Sequence, residues 1–138
     1  MERPEETVVD ASVAVKWFSL EEGTDRALSL RNQHVDGKRT LVAPDLLLYE
    51  VGNALRFKPG FNPSVTAKAL NDIFDLQLDL LVPSKEVVRR TSELAFKYGI
   101  TAYDSCYLSV GELMGMEVVT ADDELFSRAK DCGFLRKL

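Results

Sequence analysis

Thr7-Val8-Val9-Asp10-Ala11-Ser12-Val13-Ala14-Val15-Lys16-Trp17-Phe18 is the stretch that decides how this chain is read. Its β-branched opening has the pattern of a strand buried on both faces. Past Asp10, apolar residues recur at Val13, Trp17 and Leu20, a helical spacing. A carboxylate thus stands where a buried strand turns into a helix. In open α/β sheets the carboxyl ends of strands are where sites form. The same place suits a plain helix cap, a task within reach of Asp10 and of Ser12, and this stretch alone does not separate the two readings.

Outward from it, strands and helices alternate. Glu21-Glu22-Gly23-Thr24-Asp25 introduces a second helix, with Ala27, Leu28, Leu30 and Val35 as its apolar side and Asp36-Gly37-Lys38 as its stop. Leu41-Val42-Ala43 is a short strand halted by Pro44. Asp45 is expected to cap a helix reaching Phe57, with Leu47, Val51, Ala54 and Leu55 facing the core. After the break at 58–63, Ser64 is expected to cap a helix burying Val65, Ala69, Leu70, Ile73, Phe74 and Leu76. Leu80-Leu81-Val82 is a strand closed by Pro83. Ser84 opens a helix carrying Val87, Val88, Leu94, Ala95 and Tyr98 and ending at Gly99. A helix from Ala102 to Met114 stops at Gly115, and Glu117-Val118-Val119-Thr120 is a strand. Asp122-Asp123 opens a last helix through Ala129, and Phe134-Leu135 forms an edge strand. This alternation implies one doubly wound α/β domain over 1–138 with a mostly parallel sheet. Residues 1–6 are expected to be a disordered extension. The two successive helices between Pro44 and Leu78 are expected to form a hairpin, a natural place for a partner or dimer contact.

Bulk properties narrow the chemistry. The 138 residues suit a single domain, and 46% apolar with 28% charged residues is an ordinary soluble composition. No apolar run approaches the roughly 18 residues of a membrane span. The acidic, polar start is no signal peptide, so a cytoplasmic location is expected, with no membrane contact. Cys106 and Cys132 are the only cysteines and form no C-x-x-C pair, which argues against a disulfide framework or a zinc site. His34, the sole histidine, is expected to be exposed at a helix end. A multi-His metal site is excluded and His-dependent nucleophilic catalysis is disfavoured. The net charge of −5 argues against broad, charge-driven nucleic-acid binding. It leaves room for an enzyme whose acids surround a cation.

Four acids occupy telling places. Asp10 ends the first strand. Glu50 flanks the apolar stripe of its helix, between Leu46 and Leu47, with Asn53 on the same side and Arg56 or Lys58 as an ordinary ion-pair partner. Asp104 is in the first turn of its helix, at the edge of a face of Tyr103, Tyr107, Val110 and Met114. Asp122, with Asp123 beside it, follows the strand ending at Thr120. Each has a plain role as a cap or dipole partner. Together they gather where a doubly wound fold opens its cleft. Two unit charges 4 Å apart at a surface-like dielectric repel by roughly 4 kcal/mol, so carboxylates sharing a cleft call for a cation. Oxygen donors without imidazole point to Mg²⁺ or Mn²⁺. Such an ion lowers the pKa of a bound water and orients it for in-line attack on a phosphodiester.

Four segments carry a resemblance. They are Val9 to Phe18, Pro44 to Leu55 (Pro44-Asp45-Leu46-Leu47-Leu48-Tyr49-Glu50-Val51-Gly52-Asn53-Ala54-Leu55), Thr101 to Leu108 (Thr101-Ala102-Tyr103-Asp104-Ser105-Cys106-Tyr107-Leu108), and Val119 to Leu125. In this order and spacing the chain resembles a PIN domain, most closely the VapC-type toxins of prokaryotic toxin–antitoxin pairs. The resemblance implies a three-layer α/β/α fold with a sheet of about five strands. It implies a metal-dependent endoribonuclease that hydrolyses RNA, with Asp10, Glu50, Asp104 and Asp122 as catalytic and metal-holding residues. Ser12, Asn53, Thr120 and Asp123 take supporting places, Asp123 alternatively as a further ligand. A homodimer and a cognate antitoxin, which places a basic side chain in the acidic site, are implied as well. Lys16 and the pair Arg89 and Arg90 are expected to be solvated. Trp17 is expected to be core, and Tyr103 and Tyr107 core or dimer surface. Two rivals remain open: a phosphoaspartyl phosphatase, which wants a second acid where Ser12 stands, and a non-catalytic PIN-like protein-binding module, against which the complete acid set speaks.

Overall fold

The computed structural model describes residues 4–138. Five strands, β1 (Glu5–Val9), β2 (Arg39–Pro44), β3 (Asp79–Leu81), β4 (Glu117–Thr120) and β5 (Leu135–Lys137), form one sheet in the order β3-β2-β1-β4-β5. Every neighbouring pair is parallel, with Val8 opposite Val42 on one side and Val118 on the other. Successive strand residues point to opposite faces. Yet Thr7, Val8 and Val9 are all buried, as are Leu41, Val42 and Ala43, and Val118, Val119 and Thr120. The central strands are therefore covered on both sides, which makes the three-layer α/β/α arrangement. Each fully buried Val or Leu contributes roughly 1.5–3 kcal/mol relative to exposure.

Seven helices provide the cover: α1 (Ala11–Ala14), α2 (Thr24–Val35), α3 (Leu46–Leu55), α4 (Pro63–Asp75), α5 (Lys85–Tyr98), α6 (Ala102–Met114) and α7 (Asp123–Ala129). None is long and apolar enough to cross a membrane among the described residues. A 3-10 turn, Val15–Trp17, continues α1, and Trp17 is core, its Nε1–H donating to the Ala27 carbonyl at 2.9 Å. Helix α6 packs on β1, β2 and β4. Gly111 is what lets it approach: a Cβ there would overlap Val118 Cγ2 and stand 3.0 Å from the Met116 carbonyl oxygen. Helices α3 and α4 do pack together, with Gly52 turned toward Leu70.

Several local expectations are corrected. Glu5 and Glu6 belong to β1, pairing with Arg39 and Thr40 rather than extending free; residues 1–3 of that segment lie outside the described residues. Asp45 makes no cap bond, because its own backbone is already helical (φ −62°, ψ −17°). Asn62, not Ser64, caps α4, its Oδ1 accepting from Val65 N at 2.9 Å, with Pro63 in the first turn where no amide is needed. Leu20, Val35, Val65, Phe74, Val82, Val88, Tyr103 and Met114 are exposed. For α4 the reason is its support: it rests on α3 rather than on the sheet, so only the narrow stripe of Ala69 and Ile73 is buried. His34 is half-buried and bridges two elements, its Nδ1 accepting from Leu41 N (3.0 Å) and its Nε2–H donating to the Leu76 carbonyl (2.8 Å).

Candidate active site

Connections leave β1 toward β2 and β3 on one side, while β4 and β5 extend the sheet on the other. The direction of winding thus reverses between β1 and β4, and their carboxyl ends part to leave a crevice. Asp10 leaves β1 at that crevice and caps α1 in extended conformation. Its Oδ1 accepts from Ser12 Oγ (2.5 Å) and Val13 N (3.3 Å), and its Oδ2 accepts from Thr120 Oγ1 (2.5 Å). Ser12 Oγ and Thr120 Oγ1 in turn accept from Ala121 N (2.8 Å) and Asp122 N (3.0 Å). Two hydroxyls therefore lock this carboxylate to the end of β4. Asp10 is only 4% exposed. Burial pushes its pKa up to about 6, against the pull of the Ser12, Thr120 and Val13 bonds and with a push from Asp104.

The other three acids arrive from separate helices. Glu50, in the middle of α3, is half-buried, and its Oε1 accepts from Tyr107 Oη at 2.6 Å. Burial raises its pKa, the Tyr107 bond opposes this, and Asp104 adds to it. Neither Arg56 nor Lys58 pairs with it: Arg56 Nε donates to Asn53 Oδ1, and Lys58 Nζ to Glu21. Asp104 sits in the first turn of α6, whose N-cap Thr101 takes the Asp104 amide at 3.0 Å. Burial and then the Asp122 charge raise its pKa. Asp122 caps α7, its Oδ1 accepting from Leu125 N at 3.0 Å.

Asp10, Glu50, Asp104 and Asp122 line one cleft of about 680 Å³, together with Ser12 and Asn53. Asn53 is exposed at the lip, occupied by Arg56. Thr120 is fully buried beneath the floor and acts on the cleft only through Asp10 and Asp122. Asp123 is not brought to this group. Its exposed carboxylate pairs with Lys137 Nζ at 2.5 Å, and that lysine holds its pKa low. Residue 123 begins the helix that Asp122 caps, so the two side chains diverge. Tyr49 and Glu21, assigned no role in the site from the sequence, also line the cleft, as do Lys58 and Tyr103; Tyr49 and Tyr103 are exposed. Lys16 is not solvated as expected; its side chain is 13% exposed and bonds to Glu21 Oε1 (3.1 Å) and the Glu22 carbonyl (2.6 Å). Tyr107 is core, as expected, while its hydroxyl bond to Glu50 is not legible in the sequence.

Among the described residues, no three His, Cys, Asp or Glu side chains converge as a ready-made ligand set. Asp10 is held by hydroxyls, and Asp122 by its own helix. The donor set nevertheless fits a hard divalent cation that keeps much of its water. All four donors are carboxylates, and Asp104 raises the pKa of both Asp10 and Glu50, the mark of crowded negative charge.

A model of the family described as "PIN domain" matches residues 7–131, a span that contains all four acids. The chain belongs to the PIN domain family. Over 122 residues this PIN domain is 30% identical to "Ribonuclease VapC3" of Pyrobaculum aerophilum, an alignment covering 86% of this chain and 90% of that protein. Among solved structures it resembles PAE2754 from the same organism, with a TM-score of 0.67 and 25% identity over 95% of this chain and 83% of that one. It also resembles Mycobacterium tuberculosis VapC20, described as a sarcin-ricin loop cleaving toxin (TM-score 0.71, 12% identity, 93% and 95% of the two chains). A third is VapBC2 from Rickettsia felis, solved bound to a DNA fragment from its promoter (TM-score 0.70, 15% identity, 96% and 98%). The last two likenesses bear on the fold alone.

Proposed function

We propose that this PIN domain, one unit over 1–138, is a Mg²⁺- or Mn²⁺-dependent endoribonuclease and the toxin of a VapBC-type pair, acting in the cytoplasm. The observation that carries the reading is that Asp10, Glu50, Asp104 and Asp122, from four different elements, line one cleft at the winding reversal. The name of the VapC3 relative and the toxin–antitoxin complexes among the structural neighbours support it. A cognate antitoxin that sets a basic side chain among these carboxylates, and a homodimer, belong to the same proposal.

The four carboxylates would hold the ion, with Asp10 and Asp104 at the centre of the charge. Bound there, a divalent ion supplies Lewis-acid polarisation of the phosphoryl group and a lowered pKa for the attacking water. Ser12 and Thr120 fix the orientation of Asp10, so that this donor needs no reordering when substrate arrives. Glu50, with one oxygen held by Tyr107 and a raised pKa, is suited to take the proton of the attacking water at Oε2.

The test is cleavage of a mixed RNA pool by purified, antitoxin-free protein with Mg²⁺, Mn²⁺ or EDTA. Asp104→Asn, prepared identically, controls for contaminating nuclease. Metal-dependent cutting by the native chain and none by Asp104→Asn is expected. Equal cutting by both would remove the assignment of the site. No cutting with either metal would favour the protein-binding module.

A further inference from the structure

The cleft lining contains two cations, and both are bound to one acid. Lys16 Nζ donates to Glu21 Oε1 (3.1 Å) and Lys58 Nζ to Glu21 Oε2 (2.9 Å). The three come from different places. Lys16 is in the 3-10 turn after α1, Glu21 in the loop before α2, and Lys58 in the turn after α3. All three face the same space as the four carboxylates. An ordinary surface pair matches one cation with one anion. Here two ammonium groups share one carboxylate, which leaves a surplus positive charge. They also keep unused donors. An ammonium has three N–H groups; Lys16 spends two, on Glu21 and the Glu22 carbonyl, and Lys58 spends one. Their side chains are 13% and 35% exposed, so they are partly ordered before any ligand binds.

A chain of net charge −5, with a cleft floored by acids, must still admit a polyanion. A surplus positive charge at one end of that cleft, with N–H donors in hand, answers this need. We propose that Lys16 and Lys58, gathered on Glu21, form the phosphate-holding end of the cleft and grip a backbone phosphate neighbouring the one placed at the four carboxylates. This inference rests on the ribonuclease reading and adds which way the strand lies across the site. Lys16 and Lys58 are positioning residues, and Glu21 positions them in turn.

The experiment measures KM and kcat for a single-stranded RNA that the native protein cuts, at NaCl concentrations from 50 to 200 mM, a range over which phosphate contacts dominate the salt dependence. Lys58→Gln, Lys58→Arg, Lys16→Gln and, as a remote control, Lys68→Gln on α4 are compared, each checked by thermal unfolding. Lys58→Gln is expected to raise KM about fivefold, the yield of one exposed charge contact, with kcat within about twofold. The slope of log(kcat/KM) against log[NaCl] should become shallower by about 0.7, the value for one phosphate on a single strand. Lys16→Gln should act in the same direction, Lys58→Arg should restore most of the effect, and Lys68→Gln should change nothing. A Lys58→Gln protein with native KM and native salt slope overturns the proposal, as does a loss confined to kcat. Should Lys16→Gln fail to fold, the Lys58 pair still decides. A native protein that cuts no RNA at all defeats the ribonuclease reading itself, and this inference with it.

Discussion

Asp10→Asn should make the folded protein more stable at neutral pH while removing its activity. The folded state holds the Asp10 pKa at about 6, against an ordinary 3.8. Because the folded value is the higher, the folded state binds more protons between the two, and stability falls as pH rises through that window. The gap of about two units, at 1.36 kcal/mol per unit, amounts to roughly 3 kcal/mol, fully present as a deficit above pH 7. Asparagine keeps the shape and carries no charge: its Oδ1 can still accept from Ser12 Oγ and Val13 N, while the Thr120 hydroxyl can rotate to accept from its Nδ2. Urea unfolding in EDTA, at pH 4.5, 6.0 and 7.5, measures the difference between native and variant proteins; the groups common to both cancel. The variant should be more stable by about 3 kcal/mol at pH 7.5 and by only about 1 kcal/mol at pH 4.5. A gap that stays constant across this range, or a variant less stable at pH 7.5, would refute the claim that the site holds a carboxylate its surroundings would rather see neutral.

Two further outcomes follow from contacts described above. Tyr107→Phe removes the donor to Glu50, so the Glu50 pKa should climb further and the acidic limb of the kcat/KM profile should move to higher pH, with about 1 kcal/mol of stability lost because water can reach the half-buried carboxylate. A pH–rate profile beside a urea titration checks both. Gly111→Ala should cost about 1–3 kcal/mol by forcing α6 off Val118 and the Met116 carbonyl, and adding Val118→Ala should recover part of the loss from the overlap with Cγ2; a single variant of native stability would show that the helix shifts freely.

What the sequence displays most clearly is local. Helix α6 runs from Ala102 to Met114 as expected: its stop is explicit in Gly115, which is left-handed (φ 68°), and the structure adds Thr101 as its N-cap. Strand β4 is likewise read to the residue. Apolar residues on α4 mislead, since periodicity reports a stripe but not the width of the surface beneath it. The four acids are legible as a set because each stands at an element boundary. Their bonds are not, because Asp10 meets Thr120 only when β4 docks beside β1, 110 residues on. The Lys16–Glu21–Lys58 group was hidden for the same reason. The loop before α2, held by Thr24 Oγ1 on the Ser19 carbonyl, brings Glu21 to Lys16, and nothing in the hydrophobic pattern announces that contact. The ion pair of Asp123 with Lys137 on β5 is hidden in the same way, since the two residues are brought together only by the fold.

The order of the sheet also bears on the time course of synthesis. β1, made before the other four strands, can pair with β2, and β2 with β3, while the remainder is unmade. Its other flank waits for β4, and with β4 come Thr120 and Asp122, soon after Asp104 on α6. A nascent chain short of residue 120 therefore lacks both the Thr120 hydroxyl that ties Asp10 to β4 and the fourth acid, Asp122. If the completed cleft cuts RNA, an unfinished one is harmless to the message being translated, and a partner need only meet this protein once its last strands are in place.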